Sequence, residues 1–193
     1  MTALTLNLNP IMTLSYEQFY KLCQENENLR FERNINGELI IMSPTGGETS
    51  KSNANLVIQL GLWNEQTQLG EVFDSNGGFI LPNGAVRSPD VSWVEKSRYS
   101  ALTSAEKEKF LPLCPDFVIE LLSPTDNLKN TQVKMLEYLD NGCLLGWLIN
   151  RKNQQVEIYR PTQTVEILES PATISGENVL PGFILNFQKI WGK

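Results

Sequence analysis

The chain has no histidine among its 193 residues, and that absence removes whole reaction classes. Ser-His-Asp and Cys-His catalysis, histidine-metal nucleases and the common zinc enzymes all need imidazole. Chemistry here must come from carboxylates, amines, hydroxyls or a bound hard metal. Cysteine is scarce too. Cys23, Cys114 and Cys143 are odd in number and widely spaced, so they form neither a disulfide framework nor a zinc knuckle. They read as reduced thiols that fill space as small buried apolar residues. No apolar run approaches the ~20 residues of a membrane-spanning helix. The opening "MTALTLNLNP" has neither the basic start nor the apolar core of a signal peptide. Cytoplasm, with no membrane partner, is the expected setting.

Positive charge is also in short supply: 16 Lys and Arg against 22 Asp and Glu leave a net charge of −6. Affinity for phosphates comes mainly from Lys and Arg, so a nonspecific DNA-coating role is disfavoured. An enzyme whose acids hold a metal and whose basic residues gather locally remains compatible. With 41% hydrophobic and 20% charged residues, the chain reads as one globular domain over 1–193 with an irregular lead-in at 1–12.

Local patterns place the elements. "SYEQFYKLCQENENL" starts a helix, with Ser15 and Gln18 as a capping box. "LRFERNINGELIIM" reads as a hairpin turning at Asn36-Gly37, and a helix follows over about 48–66. "GEVFD", "GGFILPNG" and "AVRSPDVSWVE" read as strands. A short helical excursion follows, capped by Thr103 and Glu106. Next come the strand "FVIELL", the loop "SPTDNLKN", a helix from about 130 to 140, a hairpin turning at "RKNQ", and short strands at "TVEIL" and "GFILNF". The order implies a mixed α/β (α+β) fold with one central sheet flanked by helices and additional β-hairpins.

Glu120 stands inside an apolar run from Phe117 to Leu122, where an ionised carboxylate is costly unless a cation, donor or metal compensates it. Asp116 lies four residues earlier on the same strand, roughly 13 Å away at the strand's rise per residue. That is too far to share an ion, and Asp116 reads as a strand-entry residue. Asp90, in the strand-like "AVRSPDVSWV", reaches Glu120 if the two strands are neighbours. Two such carboxylates, with a carbonyl and waters, suit magnesium or manganese; taken singly, each is equally a solvated strand end. On the following helix Met135, Leu136, Tyr138 and Leu139 form the apolar arc. Lys134 falls at its edge, either snorkelling or serving as an amine, and Gln132 falls near its centre, where an amide needs a partner.

In this order the motifs "NGELIIMSPTGGETS", "RSPDVSWV", "PDFVIELLSPTDNL", "VKMLEYLDNGCLLGWLI" and "VEIYRP" resemble the Uma-type restriction endonuclease family, abundant in cyanobacteria and part of the PD-(D/E)xK nuclease superfamily. The resemblance implies a restriction-endonuclease-like fold and a metal-dependent endonuclease acting on nucleic acid, with DNA the expected substrate. It makes Asp90 and Glu120 ligands of Mg2+ or Mn2+, with the carbonyl of Leu121 a third, and Glu48 the helix carboxylate seen in part of the superfamily. The motif lysine two residues after the acid is replaced here by Leu122, and the resemblance moves the amine to Lys134, with Lys129 as fallback. Gln132 joins the catalytic candidates. Arg87, Lys51 and Lys129 are candidates to guide the nucleic-acid backbone, and a homodimer would pair two sites on a duplex. The alternatives are a catalytically silent nuclease-fold binding module and a metal-dependent hydrolase of another substrate.

Overall fold

The computed structural model describes residues 4–9 and 11–191. Strand β1 (Leu4–Leu6) falls within the stretch expected to be an irregular lead-in. Three residues are too few for a periodic signal, and a partner strand is what orders them. Residues 1–3 and 10 of the same stretch lie outside the described residues. Helix α1 (Tyr16–Glu25) begins as expected: the Ser15 hydroxyl accepts from the Gln18 amide and the Gln18 side chain accepts from the Ser15 amide. The hairpin β2 (Arg30–Arg33) and β3 (Leu39–Met42) turns through Gly37, which has a φ of 77°. Helix α2 (Gly47–Thr67) follows, then β4 (Gly70–Asp74) and β5 (Phe79–Ile80).

"AVRSPDVSWVE" departs from expectation. It forms two strands, β6 (Val86–Arg87) and β7 (Val91–Glu95), separated by a bend that holds Asp90. Pro89 has no amide hydrogen to continue a ladder, and the two strands join different sheets. Short helices α3 (Lys96–Ser100) and α4 (Ser104–Lys107) come next, the latter capped by Thr103 and Glu106. Strand β8 (Phe117–Leu122) leads to helix α5 (Leu128–Asp140), which starts two residues ahead of the expected position because Asn127 caps it. Strands β9 (Leu145–Asn150), β10 (Gln155–Tyr159), β11 (Glu166–Glu169), β12 (Thr173–Ser175) and β13 (Ile184–Asn186) complete the order.

The central sheet has six strands in the order β11-β10-β9-β8-β7-β4, and only β8 and β9 run parallel. The N-terminal hairpin is not an appendage. It joins a second, five-stranded sheet, β1-β3-β2-β6-β5, and β12 with β13 makes a third small sheet. Alternation along β8 sorts its side chains between two cores. Phe117, Ile119 and Leu121 pack with Leu56, Leu60 and Trp63 of α2 on one face. Val118 and Leu122 pack with Met135 and Tyr138 of α5 on the other. Leu136, expected in the apolar arc of α5, is exposed. Gly146 on β9 permits the close seating of α5: a Cβ there would lie 2.5 Å from Met135 Cε. Cys114 and Cys143 are buried and all three thiols are free; burial pushes the Cys114 thiol up to about 12.

Candidate active site

Alternation puts Glu120 on the α5 face of the sheet. Pairing of β7 with β8 runs through Val91↔Ile119, and the same register extended by one residue sets Asp90 opposite Glu120. There the ladder gives way. The Leu121 amide donates to Asp90 Oδ2 at 2.8 Å instead of to a strand carbonyl. The carbonyl and amide of one residue leave a strand on the same edge, so the Leu121 carbonyl also faces this opening. The bend at Asp90 thus ends strand pairing on this edge of β8 beside two carboxylates.

Lys134, from the second turn of α5, reaches the pair despite the absence of a motif lysine on the strand. Its Nζ lies 2.7 Å from Glu120 Oε1 and 2.8 Å from Glu32 Oε1. The Tyr138 hydroxyl, one turn further along, donates to Glu120 Oε1 at 3.0 Å. Glu32 is only 2% exposed and was not signalled by the sequence. In "RFER" it sits between polar and apolar neighbours like any solvent-facing strand acid, and only packing of the second sheet against α5 buries it. Its Oε1 also accepts the Ser88 amide at 3.0 Å, and its Oε2 accepts from Arg87 at 3.0 Å. Arg87 in turn holds Glu137 at 2.5 Å.

Other candidates fall elsewhere. Arg87, expected to guide a phosphate backbone, is 7% exposed and committed to Glu32 and Glu137. Gln132 donates to both oxygens of Glu157, at 2.8 and 3.1 Å, and Tyr159 donates to the same carboxylate. Glu157 and Glu120 both flank Leu148 in register, so Gln132 anchors α5 two strands away from Glu120 and does not join the acid pair. Glu48 opens α2 on the opposite face, with its side chain 67% exposed, and pairs with Lys51 at 3.8 Å and Arg151 at 3.6 Å. Among the described residues no contact joins it to Asp90, Glu120 or Lys134. Its place in the first turn favours the helix dipole. Lys129 stays exposed on the first turn of α5. Asp116 is the strand-entry residue expected, accepting from the Glu95 amide and from Arg98.

The electrostatics follow from crowding. If all are ionised, the carboxylates Asp90, Glu120, Glu32 and Glu137 outnumber the cations Lys134 and Arg87 by two. Burial pushes Glu120 up to about 7, with Asp90 and Glu32 adding to the effect and Lys134 opposing it. Burial raises Asp90 as well, against the pull of the Leu121 amide. Burial also works to raise Glu32, yet Lys134 and Arg87 outweigh it and hold that carboxyl below the usual range. Burial would lower Lys134, but Glu120 and Glu32 keep it above the ordinary amine range and charged. Tyr138 is raised by burial and by Glu120, so it remains a donor.

Hydrogen bonds and ion pairs occupy Asp90 Oδ2 and Glu120 Oε1, whereas none among the described residues reaches Asp90 Oδ1 or Glu120 Oε2. Two free carboxylate oxygens and a carbonyl on the same edge, amid more carboxyl groups than cations, are a hard-oxygen donor set that fits a divalent cation such as Mg2+ or Mn2+. Among the described residues no three His, Cys, Asp or Glu side chains gather for a metal, so water would complete the shell.

The crowding predicts a stability–function conflict. The folded-state pKa of Asp90 is raised, so its ionisation works against folding, an effect absent below the ordinary aspartate value of about 3.9 and growing as pH rises. Asp90→Asn keeps an acceptor for the Leu121 amide and removes the charge. Without divalent ions it should be more stable than wild type at pH 8, and urea denaturation should show the gain vanish at about pH 4.

Comparison with known proteins bears on the family and the fold. No curated protein matches the chain significantly. A solved structure described as "a putative nuclease belonging to DUF820 from Anabaena variabilis ATCC 29413" superposes with a TM-score of 0.78 at 21% identity, covering 92% of this chain and 97% of that one. This likeness establishes a shared fold. Residues 16–188 match the model of the Uma2 family, described as "Putative restriction endonuclease". That span takes in the second-sheet hairpin, the acid pair and the lysine-bearing helix together, and the chain belongs to the Uma2 family.

Proposed function

We propose that the protein is a metal-dependent endonuclease that hydrolyses phosphodiester bonds in nucleic acid, with DNA as its substrate. The observation that carries this reading is the convergence of Asp90, Glu120 and Lys134 from a bend, a strand and a helix into one cluster with more carboxyl groups than cations. Family membership and the shared fold support it.

Asp90 and Glu120, with the Leu121 carbonyl, would hold Mg2+ or Mn2+, which when bound lowers the pKa of water and offsets charge on a phosphate. Lys134 has three N–H donors, of which Glu120 and Glu32 take two. The third is left to orient a water or to meet negative charge developing on the phosphate. Tyr138 holds Glu120 in place by its hydroxyl. Lys129, exposed on the first turn of α5, is the basic candidate left on the α5 face to meet a backbone, whereas Lys51 is paired with Glu48 on α2. A homodimer would bring a second site to the opposite strand of a duplex.

Calorimetric titration with Mn2+ tests the centre without knowledge of the substrate. The wild type should bind about one ion per chain, and both Asp90→Asn and Glu120→Gln should lose it. Binding unchanged by both substitutions would point instead to a catalytically silent module. Nicking of supercoiled plasmid, dependent on the same ion and lost in the same variants, tests turnover.

A further inference from the structure

We infer that Glu32, supplied by the second sheet, is the positioning residue that fixes Lys134. The inference rests on the reading above for its catalytic meaning, although its geometry stands alone. Glu32 is buried and uses both carboxylate oxygens. Oε1 accepts from Lys134 at 2.8 Å and from the Ser88 amide at 3.0 Å, and Oε2 accepts from Arg87 at 3.0 Å. Ser88 lies two residues before Asp90, so one carboxylate touches both the amine and the segment that presents the acid.

The contacts close into a ring. Lys134 and Glu137 lie one turn apart on α5. Glu137 accepts from Arg87 Nε at 2.6 Å, Arg87 donates to Glu32, and Glu32 returns to Lys134. Two neighbouring strands of the second sheet, β2 and β6, and helix α5 are thereby set at one spacing. The lysine needs this. A four-carbon stem ending in three rotatable donors has much rotamer freedom. Glu120 alone would fix one N–H and leave the other two to sweep about that bond. A second acceptor from the opposite side fixes two donors and therefore the direction of the third. Arg87, free of any such role toward substrate, serves to hold Glu32 ionised and still.

The test uses Glu32→Ala and Glu32→Gln, with folding checked by circular dichroism. The first readout needs no substrate: competitive acetylation of Lys134, read by mass spectrometry against the exposed Lys21. Lys134 should label slowly in the wild type, several times faster in Glu32→Ala, and at an intermediate rate in Glu32→Gln, which retains an acceptor oxygen. The second readout is nicking kinetics. Misplacement of a catalytic group costs up to roughly a hundredfold in kcat, and a loss of that order is expected in Glu32→Ala. KM and Mn2+ affinity should hardly change, and Glu32→Gln should be partly rescued. If Glu32→Ala does not fold, Glu32→Gln decides. Labelling of Lys134 no faster than wild type in a folded variant overturns the inference, as does a kcat loss matched by an equal loss of Mn2+ binding. If the wild type cuts no nucleic acid, the endonuclease reading fails while the labelling result still decides the role of Glu32.

Discussion

Replacing Lys134 by methionine is expected to slow cleavage strongly and to destabilise the protein, with the second effect reversed in part by Mn2+. The lysine side chain is 12% exposed and lies between Glu120 and Glu32, themselves 9% and 3% exposed as side chains. Methionine fills similar volume but leaves two buried carboxylates facing each other. Removing one partner of a buried ion pair costs about 3–5 kcal/mol. The pH dependence has a definite sign. The folded-state pKa of Lys134 is raised, so its own contribution is complete below the ordinary lysine value of about 10.4 and fades only above it. Any change between pH 5 and pH 8 therefore comes from its partners, chiefly Glu120, which takes up a proton near 7. The deficit should be largest at pH 8 and shrink toward pH 5. Asp90 and Glu120 remain in this variant, so Mn2+ should still bind, and more tightly once the competing amine is gone. Ligand linkage then restores stability in proportion to the logarithm of ion concentration. Loss of a preorganised cation near developing charge typically costs about 10²–10³ in kcat. Denaturation with and without Mn2+, beside the nicking assay, checks all three outcomes. A variant as stable as wild type at pH 8 would mean that the amine does not bridge the two acids in solution.

The second large effect is at Arg87. Its guanidinium joins Glu32 on β2 and Glu137 on α5 while remaining 9% exposed as a side chain. Arg87→Met removes the cation and keeps both acids. A loss of about 3–5 kcal/mol at pH 7 is expected, which for a chain of this size lowers the melting temperature by roughly 10 °C. Here the linkage runs the other way. The folded-state pKa of Glu32 is lowered, so its stabilisation is present above the unfolded value of about 4.3 and is lost as pH falls through the folded value. Wild type and Arg87→Met should therefore converge as the pH drops below 4. Melting curves at pH 7 and in this acid range decide the matter. A difference that persists unchanged in acid would show that Arg87 acts through packing of its stem.

Much of the local structure was legible because its causes are local. The two capping boxes, the Asn-Gly hairpin turn and the "RKNQ" turn each depend on residues within four positions of one another, and all formed where expected. Errors arose where a partner distant in sequence mattered. Leu4–Leu6 became a strand because Leu39–Met42 lies beside it, and Thr173–Ser175 because Ile184–Asn186 does. Pro89 did carry a signal in "AVRSPDVSWVE", since a proline interrupts a ladder, yet the sequence does not say that the halves join different sheets. Gln132 was correctly marked as an amide needing a partner, but the partner is Glu157 and not the acid pair. Arg87 stands out by charge alone, which cannot tell a backbone-guiding cation from one held in a buried ion pair; Glu48 enters through the family resemblance, and its helix start is exposed.

By itself the sequence bounded the chemistry available: without histidine, only carboxylates, amines, hydroxyls or a bound hard metal were left. It also determined that Glu120 needs compensation, because burial cost depends on the run of residues around it. Tertiary structure alone decided which groups compensate. Register placed Asp90 opposite Glu120, the seating of α5 on the sheet delivered Lys134, and the packing of a second sheet against that helix turned Glu32 inward. These are contacts between segments far apart along the chain, and no local pattern encodes the spacing that brings them within hydrogen-bond reach.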